Sequence, residues 1–329
     1  MAIKHDPDTG PGTLRGGVAA WSLGCAVATA LARPRRSVAL ALLGAALALP
    51  VQAQQQQASA PPSAREGVDV GKKSWVAEFV PPEQLERAAQ QQYLQMRRQA
   101  AQQGVLAPDD NPQLVRLRAI AQRIIPYSFA WNDRARQWKW EINLFGGKQI
   151  NAFCMPGGKI AFFYGLLDQL QLSDDEVALV MGHEIAHALR EHARERMGKT
   201  AATRGVIEIG SALLGLGGGG RYLADMSGQL VTLKFSRDDE TEADLVGMEL
   251  AARAGYDPRA GITLWKKMSA ANKGAPPEWL STHPSGGSRI KDIEANLAKV
   301  VPLYERAEKP AQRFAPPSPR PAPAASGGR

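Results

Sequence analysis

Apolar and polar positions alternate along the chain with two different periods. Around the turn Pro156-Gly157-Gly158, the stretches 138–145, 149–155 and 159–165 alternate or run apolar in the manner of strands. Elsewhere the helical period dominates, which predicts helices over residues 83–103, 112–125, 173–197, 229–254 and 258–269, with one more after residue 283. The pattern predicts an α+β chain that is mainly helical and contains a small antiparallel sheet.

The apolar run near the N-terminus is typical of a secretory signal. Arg33, Arg35 and Arg36 precede an apolar stretch at 38–49, and the small residues that follow predict cleavage after Ala53. The stretch is shorter than the about 20 residues of a membrane span, although an uncleaved anchor is the alternative. The predicted organisation is a signal peptide (1–53), a flexible linker (54–80), a folded domain (81–301) and a disordered Pro/Ala-rich tail (302–329).

Composition argues against a nucleic-acid binder. The chain has 329 residues and a net charge of +8, but residues 1–53 and 302–329 each carry +3, which leaves +2 for the middle. A nucleic-acid-binding domain normally concentrates basic charge on its folded part, so we expect no such partner. The cysteines are Cys25 and Cys154. After signal cleavage Cys154 would stand alone, and its apolar neighbours predict a packing role.

The strongest chemical signal is the stretch "MGHEIAHALREH" at residues 181–192. On a helix, His183 and His187 lie about 40° apart on one face, where two imidazoles can bind one zinc ion. Glu184 beside them is placed to act as general base and acid on a water whose pKa zinc lowers to about 7. His192 lies about 140° from His187 on a continuous helix. We therefore predict that His192 faces away from the metal.

Two alternatives to a catalytic site have to be weighed. A solvated helix face could contain the pentapeptide by chance, but the apolar residues around it predict burial, and buried histidines need partners. A structural zinc domain would favour four Cys or His ligands, which this chain cannot supply from cysteine. A catalytic zinc needs a third protein ligand, and residues 236–244, "SRDDETEAD", offer carboxylates on another predicted helix.

Three separated motifs resemble one known family. "NAFCMPGGKIAFFYGLL" before "HEIAH", then "SRDDETEADLVG" and "STHPSGGSRI", are similar in order and spacing to the zinc metallopeptidases of the CAAX prenyl protease and HtpX. The layout is most similar to the soluble periplasmic branch, BepA-like and LoiP-like. The resemblance covers about residues 110–300. It implies a zincin-like, gluzincin-type core with one zinc ion per chain.

The resemblance also assigns roles to individual residues. It implies that Glu240 is the third zinc ligand, that Asp244 orients a ligand histidine, and that Arg237 pairs with a nearby carboxylate. Asp239 and Glu242 are expected to be surface charges, since Glu242 lies about 200° from Glu240 on a helix.

His283 in the "THP…R" motif has two possible roles near the metal. It could donate a hydrogen bond to the tetrahedral oxyanion, or it could bind zinc itself and exclude water.

The strand-rich region is expected to form the other half of the cleft. An extended substrate could add to an exposed strand edge through backbone hydrogen bonds, which would tolerate many sequences. The residues predicted to form this substrate-binding strand are Asn151, Lys159, Ile160, Ala161 and Phe162. A purely structural hairpin is the alternative, and the two uses are compatible.

The sequence therefore predicts a periplasmic zinc endopeptidase. The resemblance implies quality control of misfolded or stalled envelope proteins, with unfolded polypeptides, outer-membrane proteins among them, as substrates and a possible peripheral membrane association. Anchoring in the inner membrane is the alternative location. The alternative function is a latent zinc-bound module that acts mainly by binding partners, with His283 or the segment 200–230 closing the site.

Overall fold

The computed structural model describes residues 66–203, 230, 233–271, 277–284 and 288–318. The predicted signal peptide, residues 54–65 of the linker, and most of the segment 200–230 that was predicted to close the site lie outside these residues. The α-helices of the described part are α1 (Pro82–Gln102), α2 (Pro112–Ser128), α3 (Tyr164–Leu170), α4 (Asp174–Leu189), α5 (His192–Thr203), α6 (Arg237–Arg253), α7 (Ala260–Ala271), α8 (Glu278–Thr282) and α9 (Arg289–Arg306). The prediction of a mainly helical α+β fold is confirmed.

Serine caps fix where the two central helices begin. Ser173 caps α4 and Ser236 caps α6, and each forms a reciprocal capping box with the acidic residue three positions later, Glu176 or Asp239. In such a box the hydroxyl accepts an N–H of the first turn while the carboxylate accepts the N–H of the serine. Asp239 is therefore a buried cap and not the surface charge that we expected.

The small sheet is mixed and not antiparallel throughout. Its strands are β1 (Glu141–Phe145), β2 (Ala152–Met155) and β3 (Lys159–Phe163), in the order β1-β3-β2. The tight turn after Met155 pairs β2 and β3 antiparallel, as predicted. β3 lies between β2 and β1 and pairs parallel with β1. Strands that follow each other in sequence, β1 and β2, are therefore not neighbours in the sheet.

The helices α4 and α6 cross at a contact between two glycines. A Cβ atom added to Gly182 would lie 2.6 Å from the carbonyl oxygen of Gly247, and one added to Gly247 would lie 2.6 Å from the backbone nitrogen of His183. Real Cβ atoms essentially never approach that closely. The two backbones thus touch at the turn that carries the first motif histidine, within a core formed by both helices, the sheet, α2 and α9.

The helix predicted over residues 173–197 is divided into α4 and α5. Arg190 caps α4, and Glu191 adopts a left-handed backbone conformation with φ 63°. Non-glycine residues rarely adopt this conformation. As a result, the direction of the chain changes between His187 and His192.

At the C-terminal end, α9 runs through Pro302, the position where the sequence placed a domain boundary. Residues 307–318 contact the folded domain: Phe314 donates its backbone N–H to Asp174 over 2.8 Å. Within the described residues, the structure contains no helix that is both long and apolar enough to span a membrane.

Candidate metal centre

Four potential metal ligands converge from three parts of the fold. His183 and His187 come from α4, Glu240 comes from α6, and His283 follows α8; all four are buried. The two histidine Nε2 atoms are 3.1 Å apart, and each lies 3.5 Å from an oxygen of Glu240. Among the described residues, this is the only cluster of His, Cys, Asp and Glu with ligand atoms gathered within 4.8 Å.

These separations fit a zinc ion. Zinc bonds of about 2.0–2.1 Å in a tetrahedron place neighbouring ligand atoms about 3.3 Å apart. Two imidazoles and a carboxylate are also the donor set of many catalytic zinc sites. Burial, followed by the neighbouring charges, lowers the pKa of His187 well below its ordinary value. The ring is therefore kept in the neutral form, which is the form that binds metal.

Asp244 holds the ring of His183 through its second nitrogen. His183 Nδ1 lies 3.0 Å from Asp244 Oδ1, so the Nδ1–H donates to the carboxylate and Nε2 is left with a lone pair. Burial alone would raise the pKa of Asp244, but Arg289 and His183 lower it to about 2. The carboxylate therefore stays ionised, in the arrangement that the resemblance implied.

The arginine that organises the carboxylates is Arg289, which the sequence analysis did not assign. Its guanidinium donates to both oxygens of Asp244 over 2.6 and 2.7 Å and to Glu240 over 2.6 Å. It also lies 3.7 Å from the ring centroid of Trp265. The signal was present, because Arg289 is the arginine that ends the "THP…R" motif.

Arg237 does not pair with the carboxylates as the sequence analysis expected. It is exposed on the first turn of α6, and none of the ion pairs among the described residues includes it. Asp239 and Glu240 on the same turn are buried, whereas Arg237 lies on the exposed side of the helix and its side chain does not reach the buried carboxylates.

His283 lies among the predicted ligands. Its Nδ1 atom is 3.0 Å from Glu240 and 3.3 Å from His183 Nε2, which is where a fourth ligand would lie. Burial lowers the pKa of His283, but the carboxylates of Glu184 and Glu240 outweigh it and the net shift is upward. In this conformation, His283 fills the position that a catalytic site leaves open for water.

Glu184, the predicted general base, is also in contact with the segment that carries His283. The indole N–H of Trp279 in α8 donates to Glu184 Oε1 over 2.7 Å, and the ring of Trp279 stacks on His283 at 4.9 Å between centroids. α8 is itself attached to the chain before β2, since Trp279 donates its backbone N–H to Ile150. The described conformation is therefore closed over both the ligands and the base.

His192 does not face away from the metal centre, and that prediction is wrong. Its Nδ1 atom lies 2.8 Å from Nδ1 of His187, and its Nε2 atom lies 3.4 Å from Glu242. Glu242 in turn accepts from Arg190 over 2.6 Å, so it is not a free surface charge either. The prediction assumed a continuous helix, whereas the left-handed Glu191 turns His192 back towards His187.

The strand predicted to bind substrate has no exposed edge. Lys159, Ile160, Ala161 and Phe162 lie in β3, the central strand, whose backbone groups pair with β1 on one side and β2 on the other. Asn151 precedes β2, and its backbone carbonyl accepts from Phe163. The four β3 residues form the centre of the sheet and cannot receive an added strand.

The strand edge beside the metal centre belongs to β2. Among the described residues, β2 pairs only with β3. Two of its residues, Cys154 and Met155, line a narrow cleft of about 30 Å³ together with His187 and Phe235. Burial raises the pKa of the Cys154 thiol well above its ordinary value. Cys154 is therefore a packing residue and not a nucleophile.

Comparison with known proteins gives matches over the same part of the chain. Residues 114–297 match the sequence model of peptidase family M48. The mitochondrial metalloendopeptidase OMA1 of Schizosaccharomyces pombe is 35% identical over 199 residues, which cover 57% of this chain and 54% of the relative. OMA1 of Arabidopsis thaliana is 40% identical over 172 residues, 51% of this chain and 34% of the relative.

A bacterial relative matches as well. The Beta-barrel assembly-enhancing protease of Escherichia coli is 31% identical over 170 residues, which cover 49% of this chain and 35% of the relative. The chain thus spans between about a third and about half of the length of these relatives. All four potential ligands lie inside the region matched by the family.

Proposed function

Because this chain belongs to peptidase family M48, we propose that it is a zinc-dependent endopeptidase. The match agrees with the resemblance drawn from the three motifs. The observation that carries the proposal is the buried cluster of His183, His187 and Glu240 with Glu184 beside it. The relatives are matched over only part of their length, so their activities support the proposal by analogy.

The residues of the site would have separate roles in peptide hydrolysis. His183, His187 and Glu240 would hold the metal. Zinc would supply Lewis-acid polarisation of the attacking water and of the scissile carbonyl. Glu184 would accept the proton of the attacking water and return it to the leaving amine. Oε1 of Glu184 accepts the indole N–H of Trp279 in this conformation, so we propose that α8 moves and frees this oxygen before it accepts the proton.

We propose that an extended polypeptide binds along the β2 edge, which replaces the β3 edge predicted from the sequence. Backbone hydrogen bonds to this edge would tolerate many substrate sequences. Such tolerance suits misfolded or stalled proteins. We propose envelope proteins, outer-membrane proteins among them, as substrates. The Escherichia coli relative is named for β-barrel assembly, whereas the OMA1 relatives are named as mitochondrial.

A second function is favoured by the position of His283. With His283 beside Glu240 and Trp279 on Glu184, the protein would be latent in this conformation, and it would act by binding partners until α8 moves. The blocking role of His283 fits these contacts better than the oxyanion role. Both functions share the same metal ligands.

The decisive experiment compares the full chain with Glu184→Gln on casein, with the zinc content of both proteins measured. We expect hydrolysis by the wild type, loss with chelator, recovery with zinc, and no hydrolysis by Glu184→Gln at equal zinc content. The matched control Glu195→Gln, on α5 and paired with Lys199, should hydrolyse casein normally. A wild type that holds one zinc and cleaves no unfolded substrate would favour the latent module.

We propose the periplasm as the location, with attachment to the inner membrane as the alternative. The basis is the signal-like sequence of residues 33–53. In a Gram-negative host, periplasmic protein whose N-terminal residue is Gln54 would support export with cleavage. Protein recovered only from the membrane fraction, with residues 33–53 retained, would support the anchored form.

A further inference from the structure

We propose that His192 is a positioning residue of the metal centre. It connects the ligand His187 to the carboxylate of Glu242. The proposal rests on the metal-binding role of His187 that underlies the proposed function. It concerns two side chains, His192 and Glu242, for which the sequence analysis predicted no role.

The contact between the two histidines is direct and buried. His187 Nδ1 and His192 Nδ1 are 2.8 Å apart, their ring centroids are 4.9 Å apart at an angle of 75°, and His192 is 1% exposed. The break at Glu191 makes this possible, because α5 starts in a new direction at His192. A distance of 2.8 Å between two ring nitrogens requires that one donates and the other accepts.

The metal-binding role of His187 fixes which nitrogen donates. If Nε2 of His187 uses its lone pair for the metal, its Nδ1 carries the proton and donates to Nδ1 of His192. The proton of His192 then lies on Nε2, which faces the carboxylate of Glu242 at 3.4 Å. A single set of tautomers thus satisfies every contact from the carboxylate to the metal-facing nitrogen of His187.

The two ligand histidines consequently have comparable supports. His183 donates directly to Asp244, which is held by Arg289. His187 reaches the carboxylate of Glu242 through His192, and Glu242 is held by Arg190 over 2.6 Å.

Arg190 is itself held in place by the backbone before α1. Its guanidinium donates to the carbonyls of Val70 and Gly71 over 3.5 and 3.2 Å. Carboxylates that orient metal-binding histidines in this way raise the basicity of the ligand and fix its ring.

The test measures zinc affinity of the full chain by competition with a chelator of known affinity. We expect His192→Leu to weaken zinc binding by about 10- to 100-fold, the usual effect of removing such a partner. His192→Asn should weaken it less, because the Asn Oδ1 atom can still accept from His187. Glu242→Gln should also weaken it, since the amide loses the charge that stabilises the donor.

Glu195→Gln is the matched control for Glu242→Gln, since Glu195 pairs with Lys199 and does not contact His187. Its zinc affinity should equal that of the wild type. The thermal midpoint of each metal-free variant separates a loss of positioning from a general loss of stability. If His192→Leu does not fold, His192→Asn and Glu242→Gln still decide the question.

A second measurement reads the tautomer itself. In the zinc-loaded, ¹⁵N-labelled protein, the Nδ1 proton of His187 should give an imidazole resonance that moves in Glu242→Gln and stays in Glu195→Gln. Unchanged zinc affinity in both His192→Leu and Glu242→Gln, or a proton on Nδ1 of His192, would overturn the proposal. A wild type that binds zinc but cleaves nothing would refute the proposed function alone, because affinity is measured without substrate.

Discussion

At the scale of single residues, the metal centre depends on buried carboxylates that bind more than one partner. Asp244 accepts from His183 and, with both oxygens, from Arg289. An amide in its place could keep the two bonds that Oδ1 accepts, from His183 and Arg289, but would turn its NH₂ group towards Nε of Arg289. Donors left buried without acceptors are costly, at about 1–3 kcal/mol each and more when charged.

We therefore predict that Asp244→Asn weakens zinc binding by about 10- to 100-fold, measured by chelator competition. Asp174→Asn is the matched control, because Asp174 is a buried carboxylate paired with Arg116 outside the metal cluster. It should lower the free energy of unfolding and leave zinc affinity unchanged. Equal zinc affinities of Asp244→Asn and the wild type would contradict the orienting role.

Substitution of Trp279 is expected to raise activity, whereas the substitution of Asp244 is expected to weaken zinc binding. Trp279→Phe keeps an aromatic ring on His283 but removes the hydrogen bond to Glu184. Hydrogen bonds to charged groups contribute about 1.5–3 kcal/mol, and about 1.4 kcal/mol is tenfold in rate, so freeing Oε1 of Glu184 should raise kcat/KM by about 10- to 100-fold. The measurement is cleavage of a fluorescent peptide at fixed zinc content.

Trp140→Phe is the control for this substitution, because the Trp140 indole donates to the carbonyl of Ala135. Its kcat/KM should remain near that of the wild type. A lower kcat/KM in Trp279→Phe alone would show that the indole assists Glu184 and does not restrain it.

What the sequence predicted at this scale depended on local geometry. His183 and His187 were paired because a step of four residues within one helix has a known angle. The same arithmetic failed for His192, because it required a continuous helix and nothing in the sequence marks Glu191 as left-handed. Glu240 and Asp244 came from the resemblance, and geometry alone would not have chosen them from among the neighbouring carboxylates.

At the scale of secondary-structure elements, the crossing of α4 and α6 sets the distance between the ligands. Gly182 and Gly247 allow the backbones to touch, and this brings Glu240 within 3.5 Å of both ligand histidines. A methyl group at the crossing would push the helices apart. The separation of ligand atoms that fits zinc would then be lost.

Gly247→Ala is therefore expected to lower the free energy of unfolding by about 1–3 kcal/mol, a typical cost of overpacking, and to weaken zinc binding as well. Chemical denaturation and chelator competition measure the two effects. Gly261→Ala in α7 is the control, because its added Cβ would meet atoms no closer than 3.5 Å. Normal zinc affinity in Gly247→Ala would mean that the crossing can widen without moving the ligands.

The hairpin of β2 and β3 was predictable, whereas the sheet order was not. Pro156-Gly157-Gly158 is a local turn signal, and the observed antiparallel pairing agrees with it. The parallel pairing of β1 with β3 depends on contacts distant in sequence. Alternation of apolar residues gives no information about which neighbour a strand selects, and the substrate edge was assigned to β3 for that reason.

At the scale of the whole molecule, a metal at this centre would join three parts of the fold. The ligands lie on α4, on α6 and after α8. We therefore predict that chelation lowers the thermal midpoint of the wild type. A ligand at 100 times its Kd stabilises the folded state by about 2.7 kcal/mol.

The control for this experiment is His183→Ala, which removes one ligand. Its midpoint should respond little to chelator, because the variant holds little zinc to lose. Calorimetry measures both proteins with and without added zinc. A wild-type midpoint that does not respond to chelator would contradict the binding of zinc by the folded chain.

In the C-terminal part, amino-acid composition did not predict the observed structure. Residues 307–318 are rich in proline and alanine, which is typical of disorder, yet they contact the body. Phe314 donates to Asp174, and Arg313 pairs with Asp175 over 2.8 Å. These acceptors lie on the first turn of α4, and no pattern within the segment itself could have predicted them.

The left-handed residue Glu191 has a practical consequence for protein engineering. A single straight helix carrying the pentapeptide, transplanted into another scaffold, would reproduce the spacing of His183 and His187. It would not bring His192 onto His187, because this contact depends on the break between the two helices at Glu191. A transplanted centre would need the break at Glu191 and the start of α5, together with α6 for Glu240 and Glu242 and the start of α9 for Arg289.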